Sequence, residues 1–492
     1  MVDFVRSLME KLFGAGKQRP GANSNMSSSV MKTPTNHHSR PVHSGPVRKD
    51  PYFIQIGFDF GTSYSKCICR DMMTNKAWVH LHPGSDGQEL PFLIPSGLLL
   101  NNRRIAHVED PKTHYPENGL YHLKHAMVKV ALRQGDDPVL RPFWSAVRST
   151  DWSLLSEFVE ACAVYFLAGA LGEVREKVRL RFPGFGKLPE DYMAVNLAVP
   201  VGDAEQPEVS ELYNRILCEA WSLADHLSGR SPIHLTEMES LLKKSQGGQE
   251  RSAAEACFIY PEVSANVQGF VRSRVSSPGV YLFSDTGGGT VDQSIFIFMR
   301  EDQGEHLLYL TGRVLPLGSS HIERLAAESC GKMDCQSLEF WRERKERGEA
   351  DNELREAQGW IAKKLNRGTE TTLALAKRKL FVPDQLTRIR VIFGGGGHSE
   401  YPYRTAAMCP FSGSLFRECI NPDVVGMPVP RDLELKSHEN RWMRRLSVAY
   451  GLSFEKSELA RFTYPKDVST PTPDEIWQPR KQPFHIVGKD EC

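Results

Sequence analysis

The sequence predicts an α/β protein, and three observations carry that expectation. FIQIGFDFG (53–61), VYLFSDTGGG (280–289) and RIRVIFGGGG (388–397) each read as a strand running into a glycine turn. Helical stretches separate them, at 153–181, 209–228 and roughly 336–380. YMAVNLAVPV (192–201) is apolar enough for a strand buried on both faces. The chain has 492 residues, 40% of them hydrophobic and 25% charged. That is enough for a sizeable core and about three folding units. No run reaches the roughly 18 to 20 apolar residues of a membrane span, so the chain is not expected to cross a bilayer. The net charge of +1 argues against whole-surface nucleic-acid binding.

The elements follow in order. Residues 1–16 predict an amphipathic helix, with Val2, Val5, Leu8, Met9, Leu12 and Phe13 on one face and Gly14 and Gly16 ending it. Such a helix suits a protein groove or a membrane surface, or packs on its own domain. Residues 17–50 predict a disordered basic linker; the first 50 residues carry eight Lys/Arg against three Asp/Glu. SKCICRDM (65–72) returns from the first glycine turn as a strand, and SIFIFMR (294–300) does so from the second. A closing helix is expected at 440–460, and the tail 461–492 is polar and Pro-rich. The ten cysteines show no zinc spacing, and reduced thiols in a cytoplasm are the expectation.

The three turns are DFGTSYSK (59–66), DTGGGTVDQS (285–294) and FGGGGHSEYP (393–402). Glycines let successive backbone N–H groups approach an anion, and Thr62, Ser63 and Thr290 add hydroxyl donors. Asp59, Asp285 and Asp292 would repel a bare phosphate. Carboxylates beside phosphates make sense through Mg²⁺ and its waters. Any one such turn also fits an ordinary hairpin. Neither G-x-G-x-x-G opening a helix nor a Walker A motif is present.

The order and spacing of the three turns resemble the actin, sugar-kinase and 70-kDa heat-shock ATPase superfamily. The closest resemblance is to the nucleotide-binding domain of the heat-shock chaperones. DFGTSYS is similar to the first phosphate loop, SDTGGGTVDQS to the second and VIFGGGGHSEYPYRTA to the adenosine loop. LKHAM (123–127) resembles the segment with the catalytic lysine, and RLSVAYGLSF (445–454) the closing helix. The resemblance spans about 52–460. It implies two lobes, 51–270 and 271–460, each with a mixed sheet and an outer subdomain, around a nucleotide cleft.

The resemblance implies ATP or ADP with Mg²⁺ as the bound group. Asp59 and Asp285 would face the metal through water. Gly61, Thr62, Ser63 and Tyr64 would wrap the β- and γ-phosphates from one side, and Gly287, Gly288, Gly289 and Thr290 from the other. Lys124 would stabilise charge on the γ-phosphate and help place the attacking water, with Asp285 and Asp292 facing magnesium and that water. Gly395, Gly396 and Gly397 would pass ribose and base, with Lys345 and Arg342 of FWRERKERG (340–348) as the adenine-side candidates. One departure stands out: in FIYPEVSANVQGF (258–270), Tyr260 occupies the position of the family's metal-organising glutamate. Either Glu262 substitutes or hydrolysis is impaired. The tail is too short for a peptide-binding domain, so output is expected through partner proteins or co-chaperone-like regulators. The expected function is a chaperone-type ATP switch, cytoplasmic and peripheral at a membrane if the first helix meets lipid. A binding scaffold without turnover, a polymerising actin-like protein and a small-molecule kinase are the alternatives.

Overall fold

The structure, a computed structural model, describes residues 50–471 apart from 84, 86, 111, 113, 200–205, 230–231, 246–249, 274–275, 303, 414 and 417. The helix expected at 1–16, the linker up to 49 and the tail beyond 471 lie outside the described residues. The chain divides into two units, Met1–Lys49 and Asp50–Cys492, and all described elements belong to the second.

β1 (Phe53–Asp59), β2 (Tyr64–Asp71) and β3 (Lys76–Val79) form an antiparallel meander, with β4 (Ile94–Pro95) paired to β2. Next come β5 (Leu98–Asn101), β6 (Arg104–His107), β7 (Gly119–Leu120), β8 (Tyr192–Val199), β9 (Ile233–His234) and β10 (Cys257–Pro261). β8 runs parallel to β1 and β10 parallel to β8, while β5, β6, β7 and β9 make a small separate antiparallel sheet. A second meander follows: β11 (Gly279–Thr286), β12 (Val291–Glu301) and β13 (Gly304–Leu315). β14 (Arg390–Gly394) and β15 (Asp423–Val425) extend it parallel to β11. Finally β16 (Leu433–Glu434) lies parallel on β3, and β17 (Arg461–Thr463) parallel on β13.

The two large sheets therefore share one connectivity. The first has the order β10-β8-β1-β2-β3-β16 and the second β15-β14-β11-β12-β13-β17. Position by position, the strands match in order and in sense. The molecule is a mixed α/β protein with a duplicated sheet.

Continuous apolar runs explain the central strands. Ile54, Ile56 and Phe58 of β1 and Leu282 and Phe283 of β11 are fully buried or nearly so. In the first half, the helices Trp152–Arg181 and Pro207–Leu223 share one buried cluster with β1. Asp151 caps the longer helix by accepting from the Ser153 amide at 2.9 Å. That helix is apolar on nearly all sides, and by length and composition alone it could span a membrane. This departs from the expectation of no such run. In the fold, 72% of its apolar window is buried inside the protein. In the second half, Asn352–Arg378 packs on β12 and β13.

The expected boundaries of the halves need one correction. Residues 271–460 do not stay with the second sheet. β16 joins the first sheet, and the helix Met443–Leu452 packs across β1 and β2. Backbone proximity holds it there. Asn196 Nδ2 donates to the Leu452 and Phe454 carbonyls at 2.8 and 2.7 Å. Fully buried Arg70 pairs with Asp432 at 2.5 Å and lies 3.8 Å over the Phe454 ring. The tail expected from 461 also begins as a strand, β17.

Gly57 of β1 lies directly beneath that helix. A Cβ there would come within 2.2 Å of the Ala449 carbonyl oxygen, a backbone atom that cannot move aside. Gly57→Ala is expected to destabilise the protein by about 3 kcal/mol. Gly359, inside the Asn352–Arg378 helix, has nothing within 4 Å of its virtual Cβ. Gly359→Ala is expected to stabilise by up to about 1 kcal/mol. Urea denaturation of the two variants checks both signs.

Candidate functional site

All three glycine turns sit at the ends of central strands. The first follows β1, the second joins β11 to β12, and the third follows β14. β11 and β14 run parallel with Asp285 opposite Gly394, so the second and third turns are neighbours.

In the first turn, Gly61 leaves room for the Tyr64 carbonyl oxygen, which a Cβ would meet at 1.9 Å. Among the described residues, no backbone oxygen accepts the amides of Gly61, Thr62 or Ser63. Asp59 at the end of β1 is buried and takes an ion pair from Lys66 at 2.8 Å. The hairpin register sets Lys66 directly opposite Asp59. Tyr64 turns its hydroxyl to His114 Nε2 at 2.6 Å.

The second turn is closed by the Gly287 amide donating to the Thr290 carbonyl at 2.9 Å. That amide is therefore already hydrogen-bonded within the turn. The amides of Gly288 and Gly289 have no backbone acceptor among the described residues. Their carbonyls, and that of Gly287, accept from Ser320, Gly318 and Ser319 respectively. The Thr290 hydroxyl donates to Asp292 Oδ2 at 2.7 Å rather than standing free.

The first and second turns touch. A Cβ on Gly288 would meet Ser63 Oγ at 2.2 Å. On Gly289 it would meet His125 Cε1 at 2.2 Å and Thr62 Cγ2 at 2.8 Å. In the third turn, Gly395 has φ +77°, and a Cβ there would lie 2.3 Å from Asp285 Oδ1. Only glycine meets both demands. Gly397 lies against Thr286 and Ser319, and Gly396 against the Arg445 guanidinium. Lys345 is behind this turn. It donates to the Ser319 carbonyl at 2.9 Å and pairs with Glu323 at 2.6 Å, so its charge is already committed. Arg342 is likewise tied to Glu339 and Glu346.

The helix Leu123–Ala131 brings Lys124 to Glu262, at 2.7 Å. Glu262 opens the short helix after β10. Tyr260, two residues earlier, points elsewhere and donates its hydroxyl to the Ala460 carbonyl at 3.0 Å. Glu262 thus stands at the lysine, and Tyr260 is turned to the Ala460 carbonyl instead. Asn266, one turn on, donates to Asp285 Oδ2 at 2.5 Å.

Electrostatics tie these groups together. Asp285 is pushed up to about 7, by burial first and then by Glu262 and Asp59, against the pull of Lys66 and Asn266. Asp292 is raised well above the carboxylate range by burial and by Glu262, with Lys124 opposing. Burial lowers the Lys124 pKa, but Glu262, Tyr213 and Asp59 outweigh it and raise the net value. Asp292 Oδ1 is buried with no hydrogen-bond partner. Among the described residues, no three acids, histidines or cysteines converge closely enough to hold a metal ion directly. The residues present would suit a cation held through its waters, because the carboxylates act on one another electrostatically and one buried oxygen lacks a donor.

A cavity of about 1310 Å³ opens beside the site, lined by Tyr115, Tyr121, His122, Arg141 and Arg324 among others. Tyr115, Tyr121 and His122 also line a small pocket of about 20 Å³ against Thr62, Ser63 and Tyr64. Sequence reasoning missed Lys66, Asn266, His125 and Arg445. Lys66 had a signal, since a tight hairpin sets residue 66 opposite 59. The other three are brought in by packing alone. In comparison with known proteins, no family model matches the chain, and no curated protein matches it.

Asp285 binds its proton more tightly in the folded state than its ordinary value of 3.8 allows. The stability it contributes is therefore full below about pH 4 and lost as pH rises through about 7. Asp285→Asn removes that loss. Without ligand, the variant should match wild type near pH 4 and exceed it at pH 8, by on the order of 2–4 kcal/mol. Denaturation at the two pH values tests this.

Proposed function

We propose that the chain is an ATP-binding, ATP-hydrolysing conformational switch with an actin-like ATPase fold, of heat-shock chaperone type and acting through partner proteins. One observation carries the reading. Two sheets of identical connectivity send their first hairpin turns toward each other, and Asp59, Asp285, Asp292, Glu262 and Lys124 gather where the turns meet. A duplicated sheet with a glycine turn from each copy is what a two-lobed phosphate cleft requires.

The residues divide the work. Amides of Gly61, Thr62 and Ser63 face a phosphate chain from one lobe, and those of Gly288 and Gly289 from the other. Mg²⁺, entering with the nucleotide, supplies the positive charge that four neighbouring carboxylates and a triphosphate jointly demand. Asp59 and Asp285 would hold its waters. Glu262 fixes the Lys124 ammonium in place and leaves its remaining protons for a phosphate oxygen. Asp292 Oδ1, lacking a donor, is the acceptor available to orient a water. Phosphoryl transfer needs alignment and charge neutralisation more than a strong base.

The contact between Ser63 and Gly288 supports the switch itself. A phosphate between these turns must part them, so bound and unbound forms differ in lobe separation. Glu262 beside Lys124 favours turnover over a binding-only scaffold.

Single-turnover hydrolysis with Mg²⁺ tests the reading. Wild type should bind and hydrolyse ATP. Asp285→Ala should lose binding. Lys124→Ala should bind but turn over about 100-fold more slowly or worse. Absence of Mg-ATP binding by wild type overturns the proposal. Sedimentation with and without ATP separates it from a polymerising protein: the switch stays in the supernatant.

A further inference from the structure

The cations around the cleft are nearly all spent. Lys66 is paired with Asp59, Lys124 with Glu262, Lys345 with Glu323, and Arg342 with Glu339 and Glu346. Arg445 differs. It projects from the Met443–Leu452 helix against the third turn, where a Cβ on Gly396 would meet its Nη1 at 2.1 Å and its Cζ at 2.7 Å. Among the described residues, its guanidinium makes no ion pair and no hydrogen bond. Glu400, Arg444, Tyr64 and Glu346 are the charged or titratable groups that act on it, at longer range. Tyr64 belongs to the strand leaving the first turn, so the Arg445 charge is felt there as well as at the third turn. The helix that carries it is anchored through buried Leu446, Ala449 and Tyr450.

A half-buried guanidinium with carboxylates only at longer range is costly unless an anion completes it. Its planar fork matches phosphate oxygens. The amide of Gly396 beside it also has no backbone acceptor among the described residues. The position is informative too. Lys124 and Glu262 serve the place where the first and second turns meet, whereas Arg445 serves the third turn.

We propose that Arg445 is a phosphate-binding residue that grips a phosphate retained in both ATP and ADP, on the nucleoside side of the bond that breaks. This rests on the nucleotide reading above. It makes Arg445 a determinant of affinity for nucleoside di- and triphosphates over nucleosides, with no part in the transfer step.

Calorimetric titration of the full chain with Mg-ATP, Mg-ADP and adenosine tests it, on wild type, Arg445→Ala, Arg445→Lys and Gly396→Ala. Arg445→Ala should weaken both nucleotides about tenfold or more and leave adenosine unchanged. Its salt dependence should fall by about one charge. Gly396→Ala pushes the end of the arginine aside and should weaken the same two ligands. Arg445→Lys should fall between wild type and Arg445→Ala. Unchanged nucleotide affinity in Arg445→Ala overturns the proposal and leaves the nucleotide reading standing. An equal loss for adenosine overturns it as well, because the role is then structural. If Arg445→Ala does not fold, unchanged affinities in both Arg445→Lys and Gly396→Ala overturn it. If wild type binds none of the three ligands, both readings fall.

Discussion

Lys124 and Glu262 meet at 2.7 Å, and the other charged groups around the glycine turns depend on that ion pair. Glu262 raises the pKa of both Asp285 and Asp292, and Lys124 restrains the effect at Asp292. Without the lysine, the carboxylates at the ends of β1, β10, β11 and β12 would be left, among the described residues, with Lys66 as their paired cation. Buried charge of one sign is tolerated when it is paired or when it takes up protons. The protein does both: Asp59 and Glu262 are paired, while Asp285 and Asp292 hold protons more tightly.

Backbone proximity is what lets these groups converge. The second turn rests on Gly318, whose own Cβ would meet the Gly288 carbonyl oxygen at 2.4 Å. Gly451 lies against the Ala265 carbonyl oxygen, which a Cβ would meet at 1.8 Å, and so ties the Met443–Leu452 helix to the segment that supplies Glu262 and Asn266.

Much of this was legible in the sequence, for a physical reason. Central strands such as FIQIGFD and GVYLFSDT are buried on both faces, so their composition announces them. The turns that end them were equally visible, because close backbone approach selects glycine. What could not be read was which side chains come together at the turns. Tyr260 and Glu262 alternate with a proline between them, and only the onset of a helix at Glu262 decides which one turns inward. Lys345 looked available, yet Glu323, on a different helix, claims it. Arg445 and His125 carry no local pattern; a neighbouring helix delivers each to a turn. The apolar helix Trp152–Arg181 was visible as a helix, but its all-round packing was not.

The chain passes between the two large sheets three times. It builds the first through β10, the second through β15, returns to the first with β16 and the Met443–Leu452 helix, and ends on the second with β17. During synthesis, the first sheet therefore waits. β1 emerges early, but its covering helix and its edge strand are made nearly four hundred residues later. Until then, the face of β1 and β2 that receives the helix is open to water, and Arg70 lacks its carboxylate. The N-terminal half cannot mature on the ribosome ahead of its C-terminal half, and the nascent chain carries an exposed sheet face through most of its translation.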